Sequence, residues 1–133
     1  MRPNTLADAV ESIQSGLPQD VALAEFVDRF DMAHTDQERY ASIESEPILT
    51  NDKKLDALVG AIAEYLAKQR KLGRVPSWTG ASARYLDQPW HTCDSANDAM
   101  REYLTFSSPA EFASRNIFTE ERPLRRARGL RST

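Results

Sequence analysis

The stretch that decides the fold is residues 52–72, DKKLDALVGAIAEYLAKQRKL. Leu55, Leu58, Val59, Ile62, Tyr65 and Leu66 fall at i, i+3, i+4, i+7, i+10 and i+11, one face of a helix with 3.6 residues per turn. Asp52, Lys54, Asp56, Glu64, Lys68 and Arg70 fall mostly on the other face. Thr50 or Asn51 can cap the start, because either side-chain oxygen can accept from an unpaired N–H of the first turn. Gly73 can take the left-handed conformation that closes a helix, and Lys71 and Arg74 suit the negative end of its dipole. An amphipathic helix over 52–72 is therefore expected at the centre of the fold.

Working outward, the chain before it reads as helices separated by breakers. Asn4 or Thr5 caps a first helix with Leu6, Val10, Ile13 and Leu17 on its apolar face, ended by Gly16 and Pro18. Val21, Leu23, Phe26, Val27 and Phe30 define a second helix that Pro18 can open, since the missing proline N–H is not needed there. Thr35 and Glu38 have capping-box spacing and start a third helix, to about Ser45, with Tyr40 and Ile43 inward. Glu46-Pro47 stops it, and Pro47-Ile48-Leu49 is an apolar connector.

After Gly73 the character changes. Val75-Pro76-Ser77-Trp78 reads as extended, because the residue before a proline is pushed away from helix. Thr79 caps a short helical turn over 80–86, and Asp87-Gln88-Pro89-Trp90 is a turn. Ser95 opens a helix carrying Ala99, Met100, Tyr103 and Leu104. Ser108-Pro109-Ala110-Glu111 is another helix start, with serine at the cap; that helix presents Phe112 and ends near Asn116, and Ile117-Phe118 folds back onto the core. No strand-like alternation and no internal repeat is found. The expected fold is all-α: one domain over 1–121, a compact bundle of about six helices around 52–72, with an irregular Trp/Pro-anchored segment and a flexible basic tail over 122–133.

At 133 residues such a domain can bury about two-thirds of its unfolded surface without metal or disulfide support. The single cysteine, Cys93, allows no internal disulfide, which fits a reducing cytoplasm. No secretory signal and no run of the roughly 18 apolar residues needed to span a bilayer is seen. A cytoplasmic protein, away from membranes, is expected. The net charge of −3 hides a polarity: residues 1–121 hold all 20 acids and twelve basic residues, a net −8, while 122–133 hold five arginines. Residues 1–50 alone carry ten acids against Arg2, Arg29 and Arg39. This asymmetry bears on partners more than on fold.

Reactive constellations are weak. His91, Cys93 and Asp94 form the one cluster of ligand types, short of the three or four well-placed ligands a tight metal site needs, and His34 lies in a separate acidic region. The carboxylates of Asp28, Asp31, Asp36, Glu44 and Glu46 lack any motif that fixes them as an acid–base pair and read as a solvated acidic face. The five glycines are too scattered for a phosphate-cradling loop. No catalytic residue, metal or cofactor is expected, and the protein is not expected to be an enzyme. Trp78 and Trp90 could stack bases, but read better as large anchors pinning the irregular segment to the central helix. Arg122, Arg125, Arg126, Arg128 and Arg131 suit nucleic-acid phosphates, a partner's acidic surface, or mere solubility.

Pro76-x-Trp78, then Arg84-x-Leu86-x-x-Pro89-Trp90, then Ser108-Pro109-x-x-Phe112-x-x-Arg115-Asn116-Ile117-Phe118 make a longer pattern. Over about residues 55–118 it resembles a group of small actinobacterial proteins. Many of these are encoded beside nucleotidyltransferase-like toxins and treated as antitoxins, some with an added helix-turn-helix module; no such module is evident here before residue 52. The resemblance implies a non-enzymatic protein-binding module that neutralises a toxin encoded by a neighbouring gene. Asp28, Asp31, Glu44, Glu46, Arg122, Arg125, Arg126 and Arg128 are the candidate partner-binding residues. Trp78, Arg84, Trp90, Phe112, Arg115 and Phe118 are candidate structural anchors, with Arg84 and Arg115 expected to fix the Pro89-Trp90 turn and the helix after Pro109 by salt bridges. The alternative is a nucleic-acid-associated regulator that uses the arginine tail.

Overall fold

A computed structural model of the protein describes residues 5–92, 99 and 108–119. It is mostly helical, with five helices among the described residues: α1 (Leu6–Gln14), α2 (Gln19–Met32), α3 (Asp36–Glu44), α4 (Lys53–Gln69) and α5 (Ala110–Ala113). The expected helix from Ser95 is described only at Ala99, which is helical; the rest of it and the arginine tail lie outside the described residues.

Local chemistry sets the first three boundaries. The Thr5 hydroxyl accepts from the Asp8 amide at 3.0 Å, and Gly16, at φ +115°, lets the Leu17 amide reach back to the Ser12 carbonyl to close α1. Thr35 caps α3 by accepting from the Glu38 amide, while the Glu38 carboxylate takes the His34 amide, one residue before the usual reciprocal partner. Arg39 then donates to the Phe30 and Ala33 carbonyls, supplying donors that the C-terminus of α2 lacks. These three helices pack on one another, with Leu6, Val10, Phe26, Phe30 and Ile43 fully buried among them.

The central helix departs from expectation in three ways. Its cap is Asp52, which accepts from the Lys54 and Leu55 amides, and not Thr50 or Asn51. It ends at Gln69, because Lys71 at φ +53° takes the left-handed position and the Leu72 amide bonds the Ala67 carbonyl, two residues ahead of Gly73. Asp56, placed outward by the periodicity, is buried: the Thr50 amide and hydroxyl both donate to it, at 2.9 and 2.8 Å. Buried residues occur around most of the helix, including Ala57, Gly60, Ala61, Ala63 and Ala67. Small side chains there let neighbouring backbone come close.

What comes close is the second half of the chain. In place of a single helical turn over 80–86 there are two 3-10 turns, Ser77–Gly80 and Ser82–Arg84, and both pack on α4 together with α5. Ser108 does not cap α5; its hydroxyl accepts from the Thr119 amide and donates to the Thr119 carbonyl, and Pro109 precedes the first helical residue. Asn116, at φ +64°, turns the chain so that β2 (Ile117–Phe118) lies parallel to β1 (Trp90–His91), Trp90 opposite Ile117. This short ladder corrects the strictly all-α expectation. Two-residue strands leave no alternation in a sequence, and their bonding is set by distant partners: the Trp90 amide on the Asn116 carbonyl at 2.7 Å and the Thr92 amide on Phe118 at 3.0 Å. Buried apolar residues from both halves form a single core cluster.

Candidate functional site

The most unusual feature of the interior is a pair of arginines. Arg84 and Arg115 are the largest fully buried side chains, and both lie against Gly60 of α4. A buried guanidinium is costly unless most of its donors find acceptors. Arg84 donates to the Pro47 carbonyl at 2.6 Å, the Asp56 carbonyl at 3.4 Å and Glu46 Oε2 at 3.3 Å, and its guanidinium lies 4.9 Å from the Trp78 ring centre. Arg115 donates to Glu64 Oε1 at 2.6 Å and to the Glu111 and Thr79 carbonyls at 2.7 Å each, and stacks 4.6 Å from the Tyr85 ring centre. Trp78 adds a third tie, its indole N–H donating to the Ile43 carbonyl at 3.0 Å.

Apart from the Arg115 bond to Glu111, which stays within the turn of α5, each contact joins separate segments. Arg84 ties the second 3-10 turn to the connector before α4. It does not reach for the Pro89-Trp90 turn, which is held instead by strand pairing and by Asn116 Nδ2 donating to the Leu86 carbonyl at 2.7 Å. Arg115 ties α5 and the first 3-10 turn to α4. The Glu64 carboxylate is pushed up by partial burial, but hydrogen bonds from Arg115 and Lys68 and their charges outweigh this and hold it below its ordinary value. Lys68, bridging Glu64 at 2.9 Å and Glu111 at 3.7 Å, is raised chiefly by its hydrogen bond to Glu64. Carbonyls and carboxylates inside the fold take the terminal nitrogens of both guanidinium groups, while Arg84 Nε and Arg115 Nε, also buried, find no acceptor among the described residues.

Phe112 and Trp78 are buried, Trp90 is half-buried with Lys54 Nζ 5.4 Å from its ring centre, and Phe118 stacks on His91 at 5.2 Å. That stacking occupies His91; Cys93 and Asp94 lie outside the described residues. No group of three or more metal-ligand residues occurs among the described residues. The candidate acids separate into two pairs. On α2, Asp28 turns its carboxylate oxygens away from solvent, and Asp31 is bound by Arg70 at 2.9 Å. At the end of α3, Glu44 and Glu46 are exposed, Glu46 reaching Arg84 from the solvent side. Arg122, Arg125, Arg126 and Arg128 lie outside the described residues.

Sequence reasoning missed Gly60, Asp56 and the exposure of the connector. A glycine inside an otherwise strong helix forfeits stability unless something approaches closely, and that was the available signal for Gly60. Ile48 and Leu49 are 52% and 55% exposed, although both read as part of an apolar connector. No helix among the described residues is long and apolar enough to cross a membrane. No protein-family model matches the chain, and no curated protein or solved structure is similar enough to count as a match.

Proposed function

We propose that this protein is a non-enzymatic, cytoplasmic binding module, an antitoxin-like partner that neutralises a toxin enzyme by direct contact. One observation carries the reading: every exposed Asp, Glu, Lys or Arg between residues 5 and 50 is acidic. These are Glu11, Asp20, Asp36, Glu38, Glu44 and Glu46, whereas Arg29 and Arg39 are part-buried. Such a surface repels nucleic acid and suits a cation-lined cleft, the kind an enzyme handling nucleotide phosphates must have. The resemblance to antitoxin-like proteins supports the same reading. Its motif residues Arg84, Arg115 and Trp78 are engaged inside the fold, which leaves recognition to the surface.

Co-expression with the product of the neighbouring gene tests the proposal. The two proteins should co-purify, the enzyme should lose activity in the complex, and rising salt should loosen it. Charge reversal at Glu11 and Asp20 should weaken it further. Absence of a complex at low salt sinks the reading.

The five arginines between 122 and 131 favour a second reading, a nucleic-acid-associated regulator. In that case removal of 122–133 abolishes salt-sensitive binding to DNA or RNA, and an intact protein that binds neither at low salt excludes it.

A further inference from the structure

We propose that residues 44–49 form a docking edge for an extended, basic segment of a partner protein. The inference rests on the protein-binding reading and names the surface and the kind of partner it fits.

The edge is held in place from beneath. Trp78 holds the Ile43 carbonyl, Arg84 the Pro47 carbonyl and Asp56 the Thr50 amide, at 3.0, 2.6 and 2.9 Å. Three buried side chains thus fix a segment of no regular secondary structure, and Ser45 enters it in extended conformation at φ −74° and ψ 128°. Between those anchors the backbone is unsatisfied: the N–H and C=O of Ile48 and Leu49 make no hydrogen bond among the described residues. Backbone that is immobilised and unpaired offers donors and acceptors to an incoming segment. Here it is already ordered, so a ligand need not supply the ordering.

The side chains indicate the chemistry of the occupant. Ile48 and Leu49 each stand about half in solvent, an adjacent apolar pair with no cover. Glu44 is exposed and pairs with no cation among the described residues, and Glu46 keeps half its surface in solvent while Arg84 holds it from behind. Residues 36–52 carry five acids against Arg39 alone, and Arg39 is turned onto the end of α2. An occupant that satisfies all three features is an extended segment alternating lysine or arginine with aliphatic residues. Its backbone bonds the N–H and C=O of one of the two, Ile48 or Leu49, its aliphatic side chains lie against this apolar pair, and its cations face Glu44 and Glu46.

The test titrates the isotope-labelled full chain with a blocked lysine–valine alternating peptide and a glutamate–valine control, following backbone amides by NMR. The lysine peptide should shift the amides of 44–50 and the glutamate peptide should not. Ile48→Asn with Leu49→Asn, or Glu44→Lys alone, should weaken the lysine peptide about tenfold or more while preserving the dispersion of the spectrum. Shifts mapping to α1 or α2, equal response to both peptides, or no response at all overturn the edge. So do 44–50 shifts that depend on protein concentration without peptide, since the occupant is then a second copy. The neighbouring gene's product separates the two proposals. If it binds wild type and the Ile48→Asn/Leu49→Asn protein equally, the edge fails and the binding-module reading stands; if it binds neither while the lysine peptide binds, the reverse holds.

Discussion

Gly60→Ala sets two effects of known size against each other. Inside a helix, alanine is favoured over glycine by roughly 0.8–1.0 kcal/mol, so on propensity alone the substitution should stabilise. At this position an added Cβ meets Arg84 Cβ at 3.0 Å, with Arg84 Cγ and Arg115 Nε at 3.4 Å. The nearest of these atoms is rooted in the backbone of a 3-10 turn, not at the end of a flexible chain. Its side chain is pinned at the far end by the Pro47 carbonyl. Retreat of Arg84 therefore strains a 2.6 Å hydrogen bond or shifts the turn. Overpacking of this kind costs about 1–3 kcal/mol, which leaves a net destabilisation near 1 kcal/mol. For a domain of this size that lowers the melting temperature by roughly 4 °C. Urea and thermal unfolding measure it, with Gly80→Ala, whose added Cβ meets nothing within 4 Å, as a near-neutral control. The decisive arm repeats Gly60→Ala on an Arg84→Gly background, where the Cβ it meets at 3.0 Å is gone and the substitution should stabilise by about 1 kcal/mol. A Gly60→Ala protein that is more stable than wild type, with no change of sign on that background, refutes the close-approach account of this glycine.

Three further expectations follow from the same geometry. Arg115→Lys should destabilise by about 2–3 kcal/mol in urea unfolding, because an ammonium cannot serve the Thr79 and Glu111 carbonyls and Glu64 at once with the arginine's planar fork. Asp56→Ala should cost about 1–3 kcal/mol and, by hydrogen exchange, strip protection from the Thr50 amide it holds. Glu64, held below its ordinary value of 4.5, contributes stability that is present above pH 4.5 and lost as pH falls through its lower folded value; acid titrations of unfolding should show this limb in wild type and not in Glu64→Gln.

Most helix positions could be read from the sequence because their signals are local. The spacing of Leu6, Val10 and Ile13, the glycine at 16 and the Thr35–Glu38 pair each act within a few residues, and α1 and α3 begin and end close to where those residues put them. The misplacements share one cause, a distant partner that overrides a local preference. Asp56 sits on the polar side of the periodicity yet is buried, because Thr50, on the connector, supplies two donors to it. Ser108 has the spacing of a cap but bonds Thr119 instead, closing the loop around α5. The β1–β2 pair depends on a left-handed Asn116 bringing residues 27 apart in sequence side by side, which no window of residues encodes. Arginine is among the residue types least often fully buried, so nothing in composition marks Arg84 or Arg115 as interior. Even so, the helix that receives them carries the mark, in Gly60 and the small residues Ala57, Ala61 and Ala63 around it.

The buried arginines also explain how the described residues after 70, with little regular structure, hold their shape. The two 3-10 turns and the two-residue strands have few hydrogen bonds of their own, and short elements of this kind do not persist unaided. Arg84 and Arg115 each bind carbonyls from segments outside their own element, so several weak pieces acquire one shared attachment to α4. The attachment extends to the surface, since Arg84 holds the same Pro47 carbonyl that fixes the exposed connector. Core and candidate interface are thus mechanically one unit. Loosening Arg84 frees residues 46–49, and anything that grips 46–49 from outside pulls against a guanidinium already bonded to three acceptors of the fold. An edge built this way meets a partner as a rigid template, and its selectivity then comes from the charges and apolar side chains along it.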